Sequence, residues 1–360
     1  MVWLTLVAGL VLLVLGAELL VRGASKLAIS IGLSPLVVGL TVVAFGTSAP
    51  EVAVSVGAAL QGNTGLAVGN VVGSNIFNVL FILGVSALIV PLVINAQVVR
   101  QEVPIMIGAS LITLTMCLDG HLGLAESALL LALLVAYTVF LVRQSRAQTQ
   151  ATQQEYAEEL TATTRGSWDD RLLVQLLLIA AGLALLVVGS QWLVDSATSI
   201  ARGLGVSDLV IGLTIVAAGT SMPEVATSIM AAIKGERDIA VGNVVGSNTF
   251  NLLGCLGAAG LVGGGLPVPE AAVAFDLWVM VAVAMACLPV FLSGHEISRW
   301  EGGLFLAYYG VYTAWLVMQA QQHSMLLLFK SAMLGFVLPL TVITLVVVLV
   351  RRRMPKGPAG

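Results

Sequence analysis

The sequence predicts an all-α polytopic membrane protein. It would have two inverted repeats of five transmembrane helices each, broken helices at the centre, and one extra C-terminal transmembrane helix. Three observations predict this. The 360 residues are 58% hydrophobic and only 10% charged, with mean hydropathy +1.02, a balance foreign to water-soluble domains. The apolar residues run in stretches long enough to cross a bilayer as helices. The chain also repeats itself: adding 173 to any position from Gly32 to Gly84 lands on its counterpart without a gap, and 34 of the 53 positions are identical.

The elements follow in order from apolar runs and breakers. The stretch from Val2 to Leu15 is hydrophobic with no positive segment before it, which reads as a retained first helix and not a cleaved signal. Spans are expected near 2–21, 34–60, 66–90, 103–118 and 122–142, and these form the first repeat over 1–143. The stretch 144–170 is rich in Gln, Thr, Glu and Arg. It is too short and polar for a core of its own and reads as a cytoplasmic linker. The second repeat, 171–320, carries spans near 172–193, 207–233, 239–264, 272–293 and 299–318. A last span near 325–350 leads into Arg351-Arg352-Arg353, so 321–360 holds the extra helix and a basic tail.

Five spans per half is an odd number, so the halves must face opposite ways, as in secondary transporters with sites at the midplane. Charge placement agrees. With the N-terminus outside and the C-terminus cytoplasmic, fourteen of the sixteen Lys and Arg residues fall inside and only Arg202 and Lys330 fall outside, a strong positive-inside bias. The net charge of -3 says little about partners, because placement matters more than the sum; the lack of a basic patch with interleaved aromatics argues against nucleic-acid binding. Cys117, Cys255 and Cys287 lie in apolar runs at spacings that suit neither zinc nor disulfides, so they read as buried packing. Glu18 reads as a residue near the cytoplasmic surface.

One duplicated stretch carries chemistry. Gly46-Thr47-Ser48-Ala49-Pro50-Glu51 recurs as Gly219-Thr220-Ser221-Met222-Pro223-Glu224, each copy inside an apolar run. A charged side chain at the centre of a membrane helix costs about 2.5–3.5 kcal/mol on insertion scales, so it marks function by default. Pro50 lacks an N–H and disfavours helix at Ala49, so the helix breaks near Gly46–Ala49 and frees carbonyls around Ala44–Gly46. Carbonyls, hydroxyls and a carboxylate are hard oxygen ligands suited to Na⁺ and Ca²⁺. Ser48-x-x-Glu51 and Ser221-x-x-Glu224 also fit a capping box, a reading compatible with an ion site because a restarted helix needs a cap.

A second duplicated run is Gly69-Asn70-Val71-Val72-Gly73-Ser74-Asn75-Ile76-Phe77-Asn78, copied at Gly242 to Asn251. The Gly-x-x-x-Gly spacing allows close helix approach. Asn70, Ser74 and Asn78 recur every four residues and share one helix face. Buried amides in lipid need partners, which a facing broken helix or a bound ion would supply.

These two motif pairs, duplicated in this order, resemble the cation/Ca²⁺ exchanger superfamily, specifically sodium/calcium exchangers of the prokaryotic type. The likeness is strongest over 32–84 and 205–257. It implies a prokaryotic cytoplasmic-membrane antiporter that exchanges Na⁺ for Ca²⁺ by alternating access, with no enzymatic activity and no cofactor beyond the transported ions. It implies Glu51 and Glu224 as shared carboxylates, with Thr47, Ser48, Thr220 and Ser221 supplying hydroxyl or carbonyl oxygens. Ala44 and Ala217 would supply freed carbonyls, and Ser74, Ser247, Asn78 and Asn251 would complete the sites. The first helix of each half would slide past a fixed core. Asn78 and Asn251 depart from members that carry Asp there, which puts K⁺ co-transport in doubt. The last span, without a polar motif, reads as peripheral. The partners are ions and the bilayer, and a single chain could suffice.

Exchange itself is competition: two carboxylates at a low-dielectric centre need cations to neutralise them. Ca²⁺, several Na⁺ or protons could do so, and protons are expected to compete. A Ca²⁺/H⁺ antiporter on the same fold is the nearest rival, and a cation channel is a rival of another class. A hydrolase built on Ser48 or Ser221 lacks a partner, because His121, His295 and His323 all sit near span ends.

Overall fold

The computed structural model of the chain describes residues 2–161, 169, 171–204, 215, 217–326, 331 and 333. Its first helix, α1 (Val2–Ile31), is ten residues longer than the lipid-spanning run in the sequence. Polar residues do not end a helix; they need only find partners. Arg22 pairs with Asp169 at 2.7 Å and Lys26 with the same carboxylate at 3.7 Å. Ser25 donates to Glu236 at 2.6 Å, and Glu18 pairs with Lys234. Glu18, just past the middle of α1, is thus held by Lys234. The helix stops at Gly32, whose φ of +66° suits glycine.

The expected second span is two helices, α2 (Pro35–Thr47) and α3 (Ala49–Leu60), bent by 45°. The bend falls at Ser48 (φ −82°, ψ 7°), inside the segment that Pro50 disfavours as helix. Next come α4 (Thr64–Ile89), β1 (Leu92–Val93), α5 (Val98–Cys117), β2 (His121–Leu122) and α6 (Leu124–Thr161). The backbone of α6 runs on through 144–161, so much of the expected linker is helical. Gln, Glu and Arg are good helix formers, and polarity alone does not unwind them.

The second half holds α7 (Leu172–Gly203), α8 (Ala217–Gly219), α9 (Met222–Ile233) and α10 (Arg237–Val262). It continues with β3 (Leu266–Pro267), α11 (Ala272–Leu292), β4 (Glu296–Ile297) and α12 (Arg299–Ala320). Nearly all of the expected last span, the Arg351–Arg353 triplet and most of 205–216 lie outside the described residues. Among those described, seven helices are long and apolar enough to cross a membrane, or eight with the bent pair as one span.

The core is built around α4 and α10. Of the apolar stretch of α10, 94% is buried, against 33% for α1 and for α7, so α10 sits at the centre and the other two at the edge. Glycine lets α10 press on α2: a Cβ at Gly246 would lie 2.6 Å from the Leu40 carbonyl oxygen. Likewise α1 and α7 cross antiparallel with backbones touching. A Cβ at Gly16 would lie 2.8 Å from the Gly182 oxygen, and one at Gly9 would lie 2.9 Å from the Gly189 oxygen. Two short antiparallel pairings, β1 with β4 and β2 with β3, each join one half to the other. All three cysteines are buried free thiols, as expected.

Candidate cation-binding site

The site forms where the two breaks face the two central helices. Pro50 supplies no N–H to Gly46, four residues earlier, and Pro223 none to Gly219. The Ala44 carbonyl is not freed. It accepts the Ser48 N–H at 3.0 Å and lies 3.4 Å from the Thr47 hydroxyl, because the first turn before the break still closes. In the second half Ser190 of α7 donates to the Gly219 carbonyl at 2.6 Å. Ala217 begins α8.

The capping reading is not realised either. Neither Ser48 nor Ser221 caps its own helix. Each reaches across to the opposite half: Ser48 donates to Glu224 Oε1 at 2.9 Å, and Ser221 donates to Glu51 Oε1 at 2.8 Å. Ser221 also lies 3.1 Å from the Ser74 hydroxyl. Both carboxylates are buried, Glu51 at 0% and Glu224 at 1% exposure. The second oxygen of each, Oε2, has no hydrogen-bond partner among the described residues, nor do Asn78 Oδ1 and Ser247 Oγ. A buried carboxylate oxygen without a donor is costly, and either a bound cation or a proton would satisfy it.

Asparagines tie this arrangement together with the same exchange of halves. Asn70 donates to the Glu51 carbonyl at 3.2 Å and to Ser55 at 3.0 Å, and accepts the Thr220 hydroxyl at 3.3 Å. Asn243 donates to Ser228 at 2.9 Å and to the Glu224 carbonyl at 3.5 Å, and accepts the Thr47 hydroxyl at 3.0 Å. Every contact in one set maps onto the other by the same offset of 173. Asn78 and Asn251 open π-helical turns, Asn78–Leu83 and Asn251–Leu256, a local widening common at functional sites.

The structure therefore brings these residues into two matching hydrogen-bonded sets, Thr47, Ser48 and Glu224 through Asn243 in one and Glu51, Ser74, Thr220 and Ser221 through Asn70 in the other; all but the half-buried Thr220 and Asn70 are buried, as are Ser247, Asn78 and Asn251 on the central helices. The motif reading passed over Asn75 and Asn248. They donate to each other's backbone carbonyls at 3.1 and 3.2 Å. Their signal was available: an amide inside an apolar helix, repeated at the offset of 173, but one residue off the i+4 stripe. Among the described residues no group of three or more His, Cys, Asp or Glu side chains could hold a metal. The donors are two carboxylates with hydroxyl and amide oxygens, a set for hard cations and not for zinc or copper.

Comparison with known proteins gives the chain's relatives. The family model for "Sodium/calcium exchanger protein" matches residues 1–143 and 174–318. The chain is 41% identical to "Putative antiporter CaxA" of Alkalimonas amylolytica, over 83% of this chain and 93% of that protein. It is 33% identical to "Sodium/calcium exchanger MaX1" of Methanosarcina acetivorans, over 85% and 96%. Its fold is similar to the solved structure of the sodium-calcium exchanger NCX_Mj soaked with Na⁺ and Ca²⁺, with TM-score 0.72 and 30% identity over 86% of this chain and 96% of that one.

Proposed function

The chain belongs to the sodium/calcium exchanger protein family, and we propose that it is a Na⁺/Ca²⁺ antiporter in which Glu51 and Glu224 share the transported cations. One observation carries the reading: two buried carboxylates from opposite halves, each with one oxygen held by a serine of the other half and one oxygen without a donor. Ca²⁺ neutralises both charges at once, and Na⁺ ions do so singly. An empty, doubly charged centre resists moving through the barrier, which couples the two fluxes.

The strand pairings support the inverted plan. β1 follows the central helix of the first half, whereas its partner β4 lies one span later in the second, between α11 and α12. β3 and β2 are related in the same way. Ends that lie one span apart are on opposite faces, so equivalent ends of the two halves are opposed. Alternating access would then come from the α1–α7 pair moving across the α4–α10 centre, with the N-terminus outside.

The test is Ca²⁺ uptake into reconstituted vesicles loaded with Na⁺ and diluted into Na⁺-free medium. Uptake that requires the outward Na⁺ gradient is expected. Uptake driven only by a pH gradient would move the chain to Ca²⁺/H⁺ exchange, and flux without any counter-gradient would overturn the antiport reading.

A further inference from the structure

Asn78 and Asn251 can serve a cation only if their amide oxygens, and not their NH₂ groups, face it. An asparagine can flip between the two at little cost unless its neighbours forbid it. Here a chain of hydrogen bonds forbids it, and its starting point is a backbone carbonyl, which can only accept. The Asn75 carbonyl accepts Asn248 Nδ2 at 3.2 Å. Asn248 must therefore turn its Oδ1 the other way, where it accepts Asn78 Nδ2 at 3.0 Å. That leaves Asn78 Oδ1 buried, outward from the chain of bonds, and without a partner among the described residues.

The mirror chain runs from the Asn248 carbonyl to Asn75 Nδ2 at 3.1 Å, then from Asn75 Oδ1 to Asn251 Nδ2 at 3.1 Å. It ends on Asn251 Oδ1, which meets only the weak Cys255 thiol donor at 3.4 Å. The Met106 and Met280 sulfurs lie 3.6 and 3.9 Å from the two donating amide nitrogens, so the reversed polarity gains nothing on that side.

We propose that Asn75 and Asn248 are positioning residues for cation binding. They set the polarity of Asn251 and Asn78 across the interface between the halves, so that two amide oxygens are presented to the transported ion. Neither needs to touch the ion. The inference rests on the cation-site reading above. Its test separates the two, because wild-type protein that Ca²⁺ does not stabilise would fail that reading first.

The experiment uses purified full-length protein in detergent, read by the Ca²⁺-induced rise in melting midpoint and by the Ca²⁺ half-saturation of uptake in vesicles. Asn248→Ser is expected to raise half-saturation by about 10–100-fold, the usual cost of losing an outer-sphere partner of a metal ligand, and to shrink the Ca²⁺-induced rise. Adding Asn78→Ala to Asn248→Ser should worsen half-saturation by no more than about twofold over the worse single variant, because both act through one ligand. A variant that melts lower without Ca²⁺ yet keeps the full Ca²⁺-induced rise would overturn the assignment. So would losses that multiply in the double variant. Asn75→Ser makes the same test from the other half, and failure of both serine variants to fold would assign the pair to packing instead.

Discussion

Glu51→Gln removes one charge from the site and almost nothing else. The glutamine is isosteric, and its Oε1 can still accept the Ser221 hydroxyl, which lies 2.8 Å from the native oxygen. The carboxylate it replaces is fully buried, so bulk water does not screen the change. Removing one member of a buried charge pair costs about 3–5 kcal/mol, largely because the surviving charge is left uncompensated. Here the charge left short is the ion's. At about 1.4 kcal/mol per decade, Ca²⁺ affinity should fall between roughly a hundredfold and several thousandfold. Calorimetric titration of the purified protein measures this directly. The Ca²⁺-free melting midpoint should hold or rise, since one repulsive buried charge is gone. A loss of less than tenfold, or a large fall in the Ca²⁺-free midpoint, would refute the view that Glu51 binds cargo and would make it a structural residue. Glu224→Gln should behave alike, because Ser48 holds it at 2.9 Å in the same way.

Three further outcomes are expected. Gly182→Val would place a Cβ 2.7 Å from the Leu20 backbone nitrogen, so α1 and α7 must part; overpacking of this kind costs about 1–3 kcal/mol or more and should lower both melting midpoint and transport, whereas Gly108→Ala, with nothing within 4 Å, should change neither. Ser221→Ala leaves both Glu51 oxygens buried without a donor and should destabilise the Ca²⁺-free protein by about 1.5–3 kcal/mol, the range for a hydrogen bond to a charged group, as read from thermal melts. Acidification should weaken Ca²⁺ uptake by proton competition for the two carboxylates; uptake that is flat between about pH 5 and 8 would count against a carboxylate site.

The break at Ser48 was legible because proline chemistry is local: Pro50 acts on the residue before it and on the carbonyl four before. The carboxylates were legible because a charge in an apolar run has few explanations. What was not legible depended on the other half of the chain. Whether Ser48 caps its own helix or crosses to Glu224 is decided by which acceptor stands nearer, and no spacing within 44–52 contains that. The Ala44 carbonyl was misread for a smaller reason: the last turn before the break still closes. Asn75 escaped the i+4 stripe of Asn70, Ser74 and Asn78 because its partner approaches from α10. The extent of α1 past Val21 and of α6 into 144–161 was missed because apolar runs mark the bilayer, whereas helices continue wherever their polar residues are tolerated.

The crossed serines also bear on how the molecule comes to exist. Glu51 waits for a hydroxyl 170 residues downstream, and Ser48 for a carboxylate 176 residues downstream. During synthesis the helices of the first half are made with an acid whose donor has not yet been made. The first half cannot close its own polar centre, and completion must follow insertion of α10. Such long-range closure is slow, and it makes the half-made chain the stage most exposed to quality control. A mutation at Ser221 is therefore felt twice, once in the finished site and once in the time the first half spends without its partner.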